Sequence, residues 1–168
     1  PFFAPPQAAG AIREQRRIDD LDIVQVDFAN GVRLNVKQTD FKTGEVRIHA
    51  VFGYGSADEP ADLPALAEVS QGVINESGMG PLNRDDLDRS LAGKSTAFTF
   101  RIREDRFLFQ GSTVPGELTL AFQLLYGHMT APAYRPGALA ARRQRLKQRY
   151  EKMSRSVDGR LRIEADRF

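Results

Sequence analysis

Residues 22–54 have the sequence DIVQVDFANGVRLNVKQTDFKTGEVRIHAVFGY, and this stretch decides the fold class. Apolar and polar residues alternate in three runs: residues 22–28, 32–36 and 45–54. A period of two residues is typical of strands that bury one face. The Asn30-Gly31 pair between the first two runs is a strong signal for a hairpin turn. The stretch therefore predicts strands of an antiparallel sheet.

The remaining sequence alternates between helical and strand patterns. Leu66, Val69, Val73 and Ile74 form an apolar stripe at helical spacing, and Gly78 is expected to end that helix. A short helix capped by Asn83 is predicted to end at Gly93, and two strands are predicted over residues 95–103 and 106–113. Pro115 opens the next helix, and Pro136 opens a basic helix that runs to about Ser154. A break at Asp158-Gly159 and a last helical piece follow. This order predicts an α+β fold, with an antiparallel sheet and helices packed on one face.

The length of 168 residues suits one domain. Residues 1–21 are rich in Pro, Ala and Gly and then in Arg, so we expect a linker or lead-in there, followed by a single module over residues 22–168. The chain has no initiator Met, and its last predicted helix reaches Phe168. We therefore expect a piece of a longer protein, with the module truncated at its C-terminus. No stretch approaches the roughly 18 apolar residues that span a bilayer, so no membrane partner is expected.

The residues that usually perform catalysis are scarce. The chain has no Cys, which excludes thiolate nucleophiles and cysteine-bound zinc. Its two histidines, His49 and His128, have no second metal ligand at helical spacing. Ser56 and Ser77 lie in turn-like sequences without a neighbouring base. We predict that these four side chains are structural or surface residues, and that this segment has no catalytic residue, no metal ligand and no cofactor.

The strongest charge cluster is basic and lies on one predicted helix. Its members are Arg142, Arg143, Arg145, Lys147, Arg149 and Lys152. One interpretation is a face that binds nucleic acid through its phosphates. The interpretation we favour is a solvated or inter-domain face, because no stacking aromatics are interleaved with the cations. In that case four apolar side chains of the helix turn to the core: Leu139, Leu146, Tyr150 and Met153.

Three phrases carry a resemblance to a known family. They are ANGVRLNVKQTDFKTGEVRIHAVFGYGS at residues 29–56, PALAEVSQGVINESGMGPLNRDDLDRSLAGKSTAFTF at residues 64–100, and AYRPGALAARRQRL at residues 133–146. These phrases and the order of elements resemble one module of the insulinase/pitrilysin family of zinc metallopeptidases. The resemblance covers about residues 22–155 and lies in the pattern of a long span, and it implies the same α+β fold.

Catalytic modules of this family carry H-x-x-E-H on the first helix. Its two histidines hold zinc, its glutamate is the general base, and a glutamate on a later helix is the third ligand. The degenerate motif position in this chain is occupied by Glu68, Gln71 and Gly72. The later, basic helix has no Glu or Asp from Arg135 to Arg149. The resemblance therefore implies a non-catalytic module.

The resemblance also implies a function and partners. A degenerate module of this kind closes the substrate chamber of a multi-domain zinc metalloendopeptidase, with zinc held in a catalytic module of the same or a partner chain. A peptide substrate is then expected in the assembled enzyme, and similarity to bacterial multi-module members favours the periplasm. The strand over residues 95–103 is the candidate edge for main-chain pairing, although TAFT at residues 96–99 replaces the family's N-A-x-T. The alternative is a stand-alone interaction module that binds protein or nucleic acid through the basic helix, residues 142–152.

Overall fold

The computed structural model describes residues 10–165, and at residues 162–165 it describes the backbone alone. The chain divides into two compact units, Pro1–Glu45 and Val46–Phe168. None of the helices within the described residues has the length and apolar character that crossing a bilayer needs.

The first unit contains one antiparallel sheet of three strands in the order β1-β2-β3. Its strands are β1 (Ile12–Ile18), β2 (Ile23–Phe28) and β3 (Arg33–Lys37). The turn between β2 and β3 is closed by the Val32 N–H, which donates to Asn30 Oδ1 at 3.1 Å. Gly31 follows with a φ of +86°, a conformation that costs glycine little. The predicted hairpin is confirmed.

Strand β1 corrects the interpretation of residues 1–21 as a lead-in. Apolar alternation did not reveal this strand, because polar side chains hold it against β2. Arg16 Nε donates to Gln25 Oε1 at 2.8 Å, and Gln25 Nε2 donates to Asn35 Oδ1 at 2.7 Å, so one chain of hydrogen bonds crosses all three strands. Residues 1–9 of the predicted lead-in lie outside the described residues. The single module over residues 22–168 stays a prediction.

The second unit contains a second antiparallel sheet of three strands, in the order β4-β6-β5. Its strands are β4 (Val46–Phe52), β5 (Ala97–Ile102) and β6 (Phe107–Thr113). The helices are α1 (Leu66–Glu76), α2 (Arg84–Ser90), α3 (Leu118–Thr130), α4 (Pro136–Ser154) and α5 (Val157–Ala165). The α+β fold class is confirmed. Pairing of β4 with the distant strand β6 is the feature that local patterns did not indicate.

Phenylalanines form the centre of the second unit. Phe52, Phe100, Phe107 and Phe109 lie on one face of the sheet, with ring centroids between 4.9 and 6.4 Å apart. Phe100 and Phe109 are buried, as are Val73 of α1 and the α3 residues Ala121 and Leu124. Helices α1 and α3 both contact this sheet. The sheet therefore holds α1 in a fixed position, and α1 carries the residues that the resemblance singles out.

The helix boundaries include three confirmed signals. Asn83 Oδ1 accepts from the Asp86 N–H at 2.9 Å and caps α2. Pro136 occupies the first turn of α4, and this helix ends at Ser154 as predicted.

Two predictions about the C-terminal helices are wrong. The break predicted at Asp158-Gly159 lies earlier, at Arg155 and Ser156, because Ser156 Oγ accepts from the Gly159 N–H at 3.1 Å and opens α5. Gly159 is therefore helical. Within α4 the expected apolar stripe turns only partly inward. Leu146 and Met153 are half-buried, whereas Leu139 and Tyr150 are exposed because arginines occupy much of the face that meets α1.

Candidate functional site

Helix α1 presents two different faces to its neighbours, and the degenerate motif position contributes to both. Glu68 and Gly72 are one turn apart and face α4. Gln71 lies between them in sequence and faces β5. The three residues of the degenerate motif position therefore lie on one short helix, but they do not face a common site.

Arginines of α4 surround the carboxylate of Glu68. Arg142 Nη2 donates to the Glu68 main-chain oxygen at 3.2 Å and lies 3.4 Å from Glu68 Oε1. Arg149 Nη1 lies 3.3 Å from the same carboxylate oxygen. About two turns further along α1, Arg145 forms an ion pair with Glu76. Three guanidinium groups therefore join α4 to two carboxylates of α1.

Gly72 makes room for the stem of Arg142. A Cβ atom built on Gly72 would lie 2.5 Å from both Cδ and Nε of Arg142, closer than real Cβ contacts come. Arg142 Nε is buried and has no hydrogen-bond partner within the described part of the chain. A glycine at this position thus lets an arginine side chain cross the face of α1 at close range.

The opposite face of α1 is bonded to the main chain of β5. Gln71 Oε1 accepts from the Ile102 N–H at 2.7 Å. Asn75 Oδ1 accepts from the Phe100 N–H, and Asn75 Nδ2 donates to the Phe100 carbonyl, both at 2.8 Å. The β5 strand was the predicted edge for main-chain pairing with a peptide. That prediction is wrong at Phe100 and at the N–H of Ile102, because side-chain amides of α1 already form hydrogen bonds with these main-chain groups.

Zinc does not fit the degenerate motif position. Glu68 is its only metal-ligating side chain, and two guanidinium cations already face that carboxylate. Gln71 uses its amide oxygen on β5, and Gly72 has no side chain. Among the described residues no group of three or more His, Cys, Asp and Glu side chains could hold a metal ion.

The contact between Gly72 and Arg142 predicts that Gly72→Ala changes stability in opposite directions with and without the Arg142 side chain. Gly72→Ala should lower the free energy of unfolding by about 1 kcal/mol, because the Arg142 stem must move and its bond to Glu68 is lost. In an Arg142→Ala background the same substitution should raise stability by up to about 1 kcal/mol, the helix preference of Ala over Gly. Denaturant unfolding of the four chains measures this double-mutant cycle. Equal effects in both backgrounds would contradict the contact.

Thr96 occupies the position of the family's asparagine and has a structural role. Its hydroxyl lies 2.7 Å from Thr113 Oγ1 and donates to Glu117 Oε2 at 2.7 Å. Both threonines are buried. The Ser95 N–H donates to the same Glu117 oxygen at 2.9 Å. This network fixes the start of β5 and engages the Thr96 side chain in hydrogen bonds within the chain.

The basic cluster on α4 is divided by the fold. Arg142, Arg145 and Arg149 are engaged with carboxylates of α1. Arg143 and Lys147 are exposed on the other side of the helix. The interpretation as one continuous phosphate-binding face is weakened, because half of its six cations are paired within the chain.

The second unit also contains an apolar groove of about 380 Å³. The four core phenylalanines line it together with Ile74, Met129 and Tyr134. Ser56 and His128 lie on its wall, so the structure brings together two residues that the sequence treated separately. Within the described residues no hydrogen bond joins these two side chains. Ser77, in contrast, is buried and accepts from the Arg135 N–H at 3.0 Å, a turn role as expected.

His128 is a titratable group whose pKa burial shifts. Its ring lies 5.5 Å from the ring of Phe109. Burial lowers the pKa of His128 below its ordinary value of 6.5, and the positive charge of Arg84 lowers it further. The folded chain therefore keeps this imidazole neutral at a pH where the unfolded chain protonates it.

This shift predicts a loss of stability in mild acid. Below pH 6.5 the unfolded chain binds a proton at His128 that the folded chain resists, so stability falls as the pH decreases and levels off below the lowered folded pKa. The free energy of unfolding, measured by denaturant between about pH 7.5 and 5, should show a shallower fall in His128→Leu. Equal slopes in the wild type and in His128→Leu would contradict the assignment.

The fold is shared with proteases of known structure. The chain superposes on the mutant ferredoxin protease FusC in complex with Arabidopsis ferredoxin with a TM-score of 0.75 and 17% identity, over 96% of this chain and 18% of that chain. The periplasmic protease PqqL from Escherichia coli gives a TM-score of 0.80 and 18% identity, over 98% of this chain and 18% of that chain. A protease from Helicobacter pylori gives 0.66 and 17%, over 83% of this chain and 33% of that chain.

This likeness is one of fold. The chain spans about a fifth to a third of the length of these proteases, at identities below 20%. No protein-family model matches the chain, and no curated protein matches it either. The chain thus shares its fold with part of each of these proteases.

Proposed function

We propose that this chain is a non-catalytic module that forms part of the structure and substrate chamber of a multi-domain zinc metalloendopeptidase. The observation that carries the proposal is the use of Glu68, Gln71 and Gly72. Each of these positions is committed to a contact with α4 or β5, on a fold that proteases share. Because these side chains of α1 contact α4 and β5, we expect the helix to have a structural role in the wall of the chamber.

The charges around Glu68 also favour a non-catalytic role. Arg142 and Arg149 place positive charge against the one carboxylate at the degenerate position. A divalent cation brought there would face like charges, which disfavour its binding. Zinc is therefore expected in a catalytic module elsewhere, on the same or a partner chain. The assembled enzyme would take a peptide substrate, and the likeness to the periplasmic protease PqqL supports a periplasmic location.

Metal analysis of the purified chain tests this proposal. We expect no stoichiometric zinc after dialysis against zinc, and no cleavage of unfolded peptides that a chelator abolishes. The chain should co-purify with a protein bearing H-x-x-E-H, or be encoded in frame with one. Zinc at one equivalent per chain, with chelator-sensitive cleavage, would refute the proposal. A variant with Arg142→Ala and Arg149→Ala checks whether the guanidinium groups alone keep zinc out.

A further inference from the structure

The side chain of Asn75 imitates a neighbouring strand. Its amide accepts from the Phe100 N–H and donates to the Phe100 carbonyl, both at 2.8 Å. This is the pair of bonds that one residue of an added antiparallel strand would exchange with Phe100. An amide can form both because, like the peptide group, it carries an acceptor and a donor.

The spacing of the two amide side chains matches the strand. Gln71 and Asn75 are one helical turn apart, a rise of about 6 Å along α1. Phe100 and Ile102 are two residues apart on β5, a distance of about 6.8 Å. Gln71 therefore meets Ile102 while Asn75 meets Phe100, and the helix runs antiparallel to the strand along this edge.

We propose that α1 is a latch that closes the edge of β5 against strand addition. Its amides take the main-chain hydrogen bonds that an extended partner chain would use, and the arginines of α4 hold α1 in place from its other side. The arginine contacts at Glu68 and Glu76 lie on one face of α1, and the amide contacts at Gln71 and Asn75 lie on another. An open latch would expose Phe100 and Ile102 to pairing with an extended chain. This inference does not depend on the proposed function.

Hydrogen exchange of individual main-chain amides in the full chain tests the latch. In Asn75→Ala the Phe100 amide should exchange about fivefold to tenfold faster than in the wild type, the factor that one lost hydrogen bond corresponds to. In Gln71→Ala the same increase is expected at Ile102. Amides of β6 such as Phe109 should change little. Gln71→Ala removes a single bond, so it remains informative if Asn75→Ala does not fold.

The control is Asn83→Ala, which removes the bond from the Asp86 N–H that caps α2. It should leave the exchange of Phe100 and Ile102 unchanged. Unchanged exchange in the Gln71 and Asn75 variants, or equal acceleration throughout β5 and β6, would overturn the proposal.

The role of α4 has a separate readout. Arg149 pairs with Glu68 of α1, and Arg149→Ala should accelerate exchange at Phe100 and Ile102 by about twofold to fivefold, because an ion pair that holds α1 is lost. About 1 M salt should act on the wild type in the same direction by screening these exposed charges. The double variant Gln71→Ala/Asn75→Ala, in which the edge of β5 is exposed, should also self-associate in sedimentation velocity experiments, whereas the wild type should not. Exchange that is insensitive to Arg149 and to salt would refute the coupling, and a monomeric double variant would refute edge pairing.

Discussion

Gly55→Ala is expected to lower the free energy of unfolding by about 2–5 kcal/mol. Gly55 has a φ of +74°, a conformation that costs alanine about 1–2 kcal/mol. Its added Cβ would also lie 2.2 Å from the Arg103 carbonyl and 2.4 Å from the Arg106 nitrogen, both main-chain atoms of the hairpin between β5 and β6. Main-chain atoms cannot move aside as a flexible side chain can, and such overpacking adds roughly 1–3 kcal/mol. Denaturant unfolding measures the loss directly.

The effect should extend to α1. Two bonds anchor the turn after Gly55, from the Ser56 N–H to the Arg103 oxygen and from the Ala57 N–H to the Glu104 oxygen, each at 2.8 Å. The same loop carries Glu59, whose carboxylate accepts from the first main-chain N–H groups of α1. Displacement of the loop therefore weakens the start of the helix that carries Glu68.

Gly93→Ala is the matched control for this prediction. Gly93 has a φ of +77°, close to that of Gly55, but a Cβ built on it meets no atom within 4 Å. It should lose only the conformational part, about 1–2 kcal/mol. The melting temperature should fall by roughly 10 °C in the Gly55 variant and by only a few degrees in the control. Equal losses in the two variants would show that close packing at Gly55 adds nothing.

Local signals predicted most elements of the fold, because each of those elements is specified by neighbouring residues. The Asn30-Gly31 turn, the Asn83 cap and the Pro136 start of α4 are of this kind. Strand β1 could not be predicted from alternation, since its residues 13–17 are all polar or charged. The pairing of β4 with β6 joins segments about 60 residues apart, and no short pattern encodes such a contact.

For the candidate site too, part could be predicted from the sequence and part could not. The resemblance identified the positions Glu68, Gln71 and Gly72, but it did not indicate what those side chains do. Arg142 lies 70 residues after Gly72, so the need for glycine at that point becomes visible only when α4 packs on α1. The amide of Asn75 was not among the candidate residues predicted from the sequence. Its one sequence signal is a polar residue directly after Ile74 of the apolar helical stripe.

Arg135→Met is expected to lower the free energy of unfolding by about 2–4 kcal/mol. Arg135 precedes α4, and its guanidinium donates to the carbonyls of Ser77 and Gly80, each at 2.9 Å. Hydrogen bonds from a charged group contribute about 1.5–3 kcal/mol each, and solvent access to the half-buried side chain reduces their sum. Methionine keeps the length of the stem but leaves both carbonyls without this donor, so the end of α1 and the start of α4 lose their link.

The consequence for the site separates Arg135 from an ordinary stabilising residue. If Arg135 sets the register between α1 and α4, its loss should weaken the coupling between Gly72 and Arg142 that the double-mutant cycle measures. Arg135→Lys can reach only one of the two carbonyls and should lose about half as much stability. Arg143→Met, on the exposed side of α4, should stay within about 0.5 kcal/mol of the wild type. Full coupling between Gly72 and Arg142 in the Arg135→Met background would mean that α4 finds its place on α1 through the ion pairs alone.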